Sequence, residues 1–387
     1  MKKYKILILI IFLSPILIFL KLIYPFFKIH FGVLNSDRIG RYVIEYSLSY
    51  TINKKKKLNE LNLFYLAGKS SNKFFDLIVK RNLIILPLVK YIYIANKFFF
   101  FSEKSDFNLK YAITNRDDNG ILYNEENILN FKDTENTFCK NFLKKIGFIN
   151  NKKLVCLIVR DSSYLKNIQP EIDWTYHDHR DSNIKKYKRA IQWLCDNDYF
   201  VIRMGKITNN KLNFSNINFF DYSQSNLKND LLDIWLFANC NLCISTGTGI
   251  DFVSLISKKP IFFCEYIPVS YFISFSSSYT LPKKLIWRTN NKELNLKEYI
   301  KHNYNNSHLI FKNNILVKGL NSYEILHDLK IYLNIINKKQ SQNSLKYNLE
   351  FFNMIKKISK NNKYNINFNF LHPNSYISSS WFNRVNK

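Results

Sequence analysis

Ser245-Thr246-Gly247-Thr248-Gly249-Ile250-Asp251 decides how this chain reads. The apolar run Asn241-Leu242-Cys243-Ile244 precedes it and Phe252-Val253-Ser254-Leu255-Ile256 follows. That order predicts strand, tight polar turn, helix. Small residues let a ligand approach the backbone closely. The following helix start offers N–H groups and the positive end of a dipole, which suits a phosphate-bearing ligand. The turn is not a Walker loop, since no Gly-Lys-Ser/Thr follows, and the three-glycine dinucleotide fingerprint is absent. A second reading is a capped helix start, with Thr248 as N-cap and Asp251 three residues on.

Outward from this turn the second half alternates. Leu154 to Val159 is a continuous apolar run, as a strand buried on both faces requires. Ile184, Tyr187, Ile191 and Leu194 fall at helical spacing, with lysines and Arg189 between them. Tyr199 to Arg203, Ile217 to Asp221, Leu242 to Ser245 and Pro260 to Cys264 read as further strands, with helices over Asp230 to Ala238 and Gly249 to Ser257. Strands alternating with helices predict a parallel, doubly wound α/β sheet, whose ligands bind beyond the carboxyl ends of the strands. Those ends place Arg160, Asp161, Arg203, Gly205, Asp221, Ser245 to Gly249 and Glu265 on one rim. Two arginines beside a helix start form a phosphate clamp, because guanidinium binds phosphate in a bidentate fork.

The 387 residues suffice for two domains. Formal net charge is +28, from 57 Lys+Arg against 29 Asp+Glu. Such a chain is drawn to anionic lipid, nucleic acid or phosphorylated substrates. The lysines are scattered, and Asn, Ile, Phe and Tyr are also over-used, which fits a nucleotide bias of the genome. The aromatics lie in apolar periodic runs and not on a basic platform, so no nucleic-acid partner is expected. Cys156, Cys243 and Cys264 lie within apolar runs. Cys240 and Cys243 have metal-pair spacing without a second pair, so core packing is expected, with no metal and no cofactor.

Ile6 to Leu20 is almost wholly apolar around Pro15, with Lys2, Lys3 and Lys5 before it and Lys21 after. A signal anchor, a membrane-surface hairpin broken near Pro15, and a hydrophobic strand are three readings of it. Membrane attachment, by an anchor or along the membrane surface, is expected, with the body facing the cytoplasm. Arg38-Ile39-Gly40-Arg41 reads as a glycine turn before an amphipathic helix over Tyr42 to Leu48, and Leu61 to Leu66 and Leu83 to Pro87 as strands. A polar stretch from Glu103 to Glu135 precedes a boundary near 150. Trp381 and Phe382 require burial of the tail.

Several blocks, in order, resemble a group of bacterial glycosyltransferases of surface-polysaccharide synthesis. They are Val159-Arg160-Asp161-Ser162-Ser163-Tyr164; His177-Asp178-His179-Arg180 with Ile184 and Tyr187; Tyr199 to Gly205; Asp233 to Cys240; Ile244 to Gly249; Lys259-Pro260; and Tyr323-Glu324-Ile325. Arg38-Ile39-Gly40 is similar to that family's entry turn, where histidine follows and this chain has Arg41.

The resemblance implies a GT-B architecture of two Rossmann-like domains facing a cleft. Residues 1–28 would then be the membrane anchor or membrane-surface segment, 29–150 an acceptor-side domain, 151–335 a nucleotide-sugar domain, and 336–387 a helical tail returning to the first domain. It implies metal-independent sugar transfer from a nucleotide-sugar to a glycan or lipid-linked acceptor, at the cytoplasmic face of the inner membrane. Donor phosphate would meet Arg160, Arg203, Gly205, Ser245, Thr246, Gly247, Thr248 and Gly249. Ribose or sugar would meet Asp161, Asp221 and Glu265. His177, His179, Arg180 and Glu45 would serve catalysis, and Arg38, Gly40 and Arg41 the acceptor side. A non-catalytic sugar-nucleotide binder and a pyruvyl-type transferase are the other readings.

Overall fold

The computed structural model describes residues 3–98, 102–107, 116–126, 128–168, 170–337, 346–359 and 370–386. The chain divides into two compact units. The first is Met1–Asp117 with Asn124–Asn130, the second Asp118–Tyr123 with Phe131–Lys387. The division lies upstream of position 150 because helix Asp133–Lys145 packs within the second unit. There Asn136 accepts from Trp235 Nε1 at 2.9 Å and Phe142 lies edge-on to Tyr222.

In the first unit, helix α1 (Lys3–Ile23) leads into strand β1 (Lys28–Asn35), helix α2 (Ile39–Lys54), β2 (Glu60–Ala67), helix α3 (Lys73–Asn82), the short β3 (Ile84–Ile85) and helix α4 (Val89–Asn96). The strands pair in parallel in the order β1-β2-β3. Among the described residues this order shows no reversal, so the doubly wound expectation holds for the second unit only. The apolar N-terminus is a helix and neither a hairpin nor a strand, Pro15 notwithstanding. Among the described residues no helix is long and apolar enough to cross a membrane, so the spanning reading has no support.

The second unit is built on seven parallel strands. They are β4 (Lys153–Ile158), β5 (Tyr199–Arg203), β6 (Phe219–Asp221), β7 (Leu242–Ser245), β8 (Ile261–Cys264), β9 (Ser278–Leu281) and β12 (Ser375–Ile377); β10 (Lys284–Trp287) and β11 (Ile315–Lys318) form a separate antiparallel pair. The order β12-β9-β8-β7-β4-β5-β6 runs one way from β4 to β6 and the other way from β7 outward. A doubly wound sheet reverses at such a point, here between β4 and β7.

Leu154, Val155, Cys156 and Leu157 are buried, because helices cover both faces of a parallel sheet. Helix Lys188–Asp196 buries Ala190, Ile191, Leu194 and Cys195 and turns its lysine and glutamine side to water. All six cysteines are free and buried. The tail, expected to return to the first unit, is part of the second: β12 extends the sheet at β9 and helix Ser379–Val385 inserts Trp381 and Phe382 into the core.

Candidate functional site

The sheet register brings the predicted rim together. Ile158 pairs with Ser245 and Leu157 with Arg203, so Arg160 and Asp161 leave β4 beside the turn that leaves β7. Glu265 follows β8, and Lys283, which sequence reading overlooked, follows β9.

The turn itself differs from a phosphate cradle. Thr246 N donates to Ile158 O at 3.3 Å and Gly247 N to Ser245 Oγ at 3.0 Å. Thr248 N and Gly249 N donate to the two carboxylate oxygens of Asp251, at 2.9 and 3.0 Å. Ser245 Oγ donates to the same carboxylate at 2.5 Å. The four N–H groups of Thr246 to Gly249 are therefore already engaged. Asp251 is fully buried, and burial pushes its carboxyl pKa up against the three bonds that hold it down. The following helix, Phe252–Ile256, has five residues and its N-cap is Asp251, so Thr248 does not cap it. A self-satisfied corner has won over the expected phosphate cradle. Gly247 is required there: its φ is +79°, and a Cβ would stand 2.3 Å from the Tyr266 ring.

What the corner does is hold two arginine-bearing loops. Thr246 Oγ1 accepts from Arg160 N at 2.8 Å, and Gly247 O accepts from Arg180 Nη2 at 2.6 Å. Arg160 Nε reaches Asp181 at 3.2 Å. Burial, and then the charge of Arg180, push the Arg160 guanidinium down to about 10. Two like charges so placed favour an anion that neutralises both.

Beside them lies a pocket of about 380 Å³ lined by Asp161, Asp178, Asp181, Glu265, Lys186, Lys283, His179 and a set of small polar groups, Ser162, Ser182, Asn183 and Asn210 among them. Four carboxylates against two ammonium groups do not make the strongly electropositive rim that a phosphate clamp implies. They suit hydroxyl-rich ligands, since carboxylates accept from hydroxyls and amides do both.

Glu265 is buried, at φ +57°, a backbone state that costs a non-glycine residue energy and is held by its surroundings. Its oxygens accept from Leu320 N at 2.7 Å and Tyr187 Oη at 3.4 Å, with Lys186 Nζ at 3.9 Å. A Cβ on Gly319 would lie 2.5 Å from both Glu265 Oε1 and Lys186 Nζ, so glycine keeps that wall open. Lys283 Nζ donates to the carbonyls of His179 and Asp181 and fixes the 175–183 loop. Burial lowers its pKa to about 8, with Glu265 pulling the other way.

Among the predicted histidines, His179 is buried and lines the pocket, while His177 stacks near Trp174 and Tyr176. Ser307 Oγ donates to Tyr176 O at 3.1 Å and lies 3.0 Å from His179 Nδ1. That network assigns the proton to Nδ1 and leaves Nε2 as an acceptor, which is buried with no partner among the described residues. Burial first, then Arg180, His177 and Lys283, lower the imidazole to about 3. His179 is thus neutral at pH 7 and accepts a hydrogen bond in preference to a proton.

Arg203 and Asp221 stand apart from the pocket. Arg203 is buried, donates to Asp221 Oδ2 at 2.9 Å and to Asn210 O, and so fixes a pocket wall without facing it. Gly205 follows at φ +152°, where a Cβ would stand 2.7 Å from Thr208. In the first unit, Gly40 lies inside the first turn of α2 and Arg38 is its N-cap, so the chain turns before the glycine. Glu45 is buried and accepts from Asn35 N at 2.7 Å and Arg41 Nε at 2.6 Å. Its carboxylate ties α2 to the end of β1 and is not presented as a base.

The chain matches no protein-family model and no curated protein. Among solved structures it is similar to ADP-heptose LPS heptosyltransferase II of E. coli, at 11% identity and TM-score 0.32, over 62% of this chain and 86% of that one. A glycosyl transferase family 9 structure from Veillonella parvula DSM 2008 is similar at 9% identity and TM-score 0.42, over 66% of this chain and 86% of that one. Likenesses this distant carry no residue roles across.

Proposed function

We propose that this chain is a glycosyltransferase that takes a sugar from a nucleotide-sugar held at the carboxyl edge of the second unit's sheet. It passes the sugar to a glycan or lipid-linked acceptor at the cytoplasmic face of a bacterial inner membrane. One observation carries the reading: a polar pocket opens at the sheet's reversal point, beside two loops that bear the half-buried guanidinium groups of Arg160 and Arg180. Asp161 and Glu265 would bind ribose or sugar hydroxyls, and His179 Nε2 would accept from another. Arg160 and Arg180 would stabilise charge on the departing diphosphate without calling on a metal ion. Fixed donors aimed at developing charge commonly lower such a barrier more than any other single effect. Arg203 and Lys283 act by holding the walls.

A non-catalytic sugar-nucleotide binder is the second reading, favoured by the engagement of Glu45 and the low basicity of His179. Titration of the purified chain with a panel of nucleotide-sugars, followed by assay of nucleoside diphosphate release, separates the two. Turnover supports the transferase; tight binding without turnover supports the binder. Phosphate release from phosphoenolpyruvate would reassign it to pyruvyl transfer. Arg180→Ala should weaken nucleotide-sugar binding by about 1.5–3 kcal/mol, the worth of a hydrogen bond to a charged group. Unchanged affinity in a folded variant removes Arg180 from the site.

A further inference from the structure

Helix α1 is apolar over most of its circumference, yet among its described residues one side is covered and the other is not. Leu17 is buried, and Leu20 packs against the cluster of Phe31, Tyr65, Val89 and Tyr93. At about 100° per residue, Ile8, Ile11, Phe12, Phe19 and Leu22 fall within one arc of about 100° on the opposite side. All five are exposed, Phe12 at 80% and Leu22 at 68%, and Phe26 continues the face beyond the helix at 81%. A contiguous apolar face of this kind marks an interaction site. Its charge setting identifies the partner. The first acidic residue of the chain is Asp37, whereas Lys2, Lys3, Lys5, Lys21 and Lys28 precede it; of these, Lys28 stands 4.0 Å from Glu60.

We infer that α1 lies in the plane of a bilayer surface, its Phe12–Phe19 face among the acyl chains and the exposed Lys21 at the anionic headgroups. An interfacial helix combines such an apolar face with flanking basic residues. The helix does not span, because its other side is fastened along the first unit. A second copy would cover the apolar face but brings no acidic residue in this segment for Lys21 to meet, whereas anionic headgroups supply that charge. The inference deepens the proposed function by placing the protein where lipid-linked acceptors are. It uses none of the pocket residues.

The test is co-sedimentation of the full chain with phosphatidylcholine vesicles, with and without phosphatidylglycerol, at low and high salt. The native chain should bind the anionic vesicles and be released in part by salt. The double substitution Phe12→Ser, Phe19→Ser should lower partitioning at least tenfold while nucleotide-sugar binding and the circular dichroism spectrum stay unchanged. Because both positions are exposed, the fold does not depend on them. Equal partitioning of native and variant chains overturns the inference. So does a lipid-free dimer that the same substitutions dissociate. Failure of nucleotide-sugar binding alone would overturn the proposed function and leave this inference standing.

Discussion

Replacing His179 by Asn tests the electrostatics of the pocket wall through stability alone. In the folded protein burial, Arg180, His177 and Lys283 hold the imidazole near 3, against 6.5 in the unfolded chain. The unfolded state therefore binds more protons between these values, so stability falls as pH drops through the window from 6.5 toward 3 and is untouched above it. At pH 5 the single site should cost about 2 kcal/mol relative to pH 7.5, by proton linkage between those two pKa values. Asparagine keeps an N–H toward Ser307 and cannot titrate. All five tryptophans, at 174, 193, 235, 287 and 381, lie in the second unit, so their fluorescence follows its unfolding in urea. The native chain should lose about 2 kcal/mol more than His179→Asn between pH 7.5 and 5.0, other titrating groups such as His372 being common to both. Equal losses would refute a buried neutral imidazole, and with it the bare Nε2 acceptor.

The corner after β7 gives two further tests. Asp251→Ala strands the N–H groups of Thr248 and Gly249, and should destabilise the second unit by roughly 2–4 kcal/mol in urea titration. Gly247→Ala drives a methyl into the Tyr266 ring and should cost at least about 1 kcal/mol. Pairing it with Tyr266→Ala should relieve the clash but not the strain of a positive φ. Trp381→Ala should cost about 3–5 kcal/mol by opening a cavity, and limited proteolysis should then release the tail from the sheet edge.

The strands from β4 to β8 were legible because a sheet covered on both faces demands unbroken apolar runs, and Leu154 to Val159 supplies one. β1 was not, since it follows the apolar N-terminal run without a break, and β9 and β12 are too short and serine-rich to stand out. The meeting of Arg160 with the glycine corner followed from strand ends and topology; the second arginine expected there, Arg203, pairs with Asp221 instead, and Arg180 reaches the corner. Which N–H groups the corner keeps for itself did not, because that depends on where the Asp251 side chain turns. Lys283 was hidden by abundance: among 57 basic residues, nothing local marks the one that folding removes from water. Glu45 misled for the opposite reason, as a carboxylate on a helix reads as solvated until β1 is seen to end against it.

The placement of β12 bears on how the protein is made. Ser278 and Ser375, whose hydroxyls lie 3.3 Å apart in adjoining strands, are 97 residues apart along the chain. During synthesis the outer edge of β9 stays uncapped until that late stretch emerges, and an open strand edge invites pairing with a neighbouring nascent chain. Interrupted translation within that interval would therefore yield a product with most of its binding loops formed and a sticky margin, a substrate for chaperones and proteases.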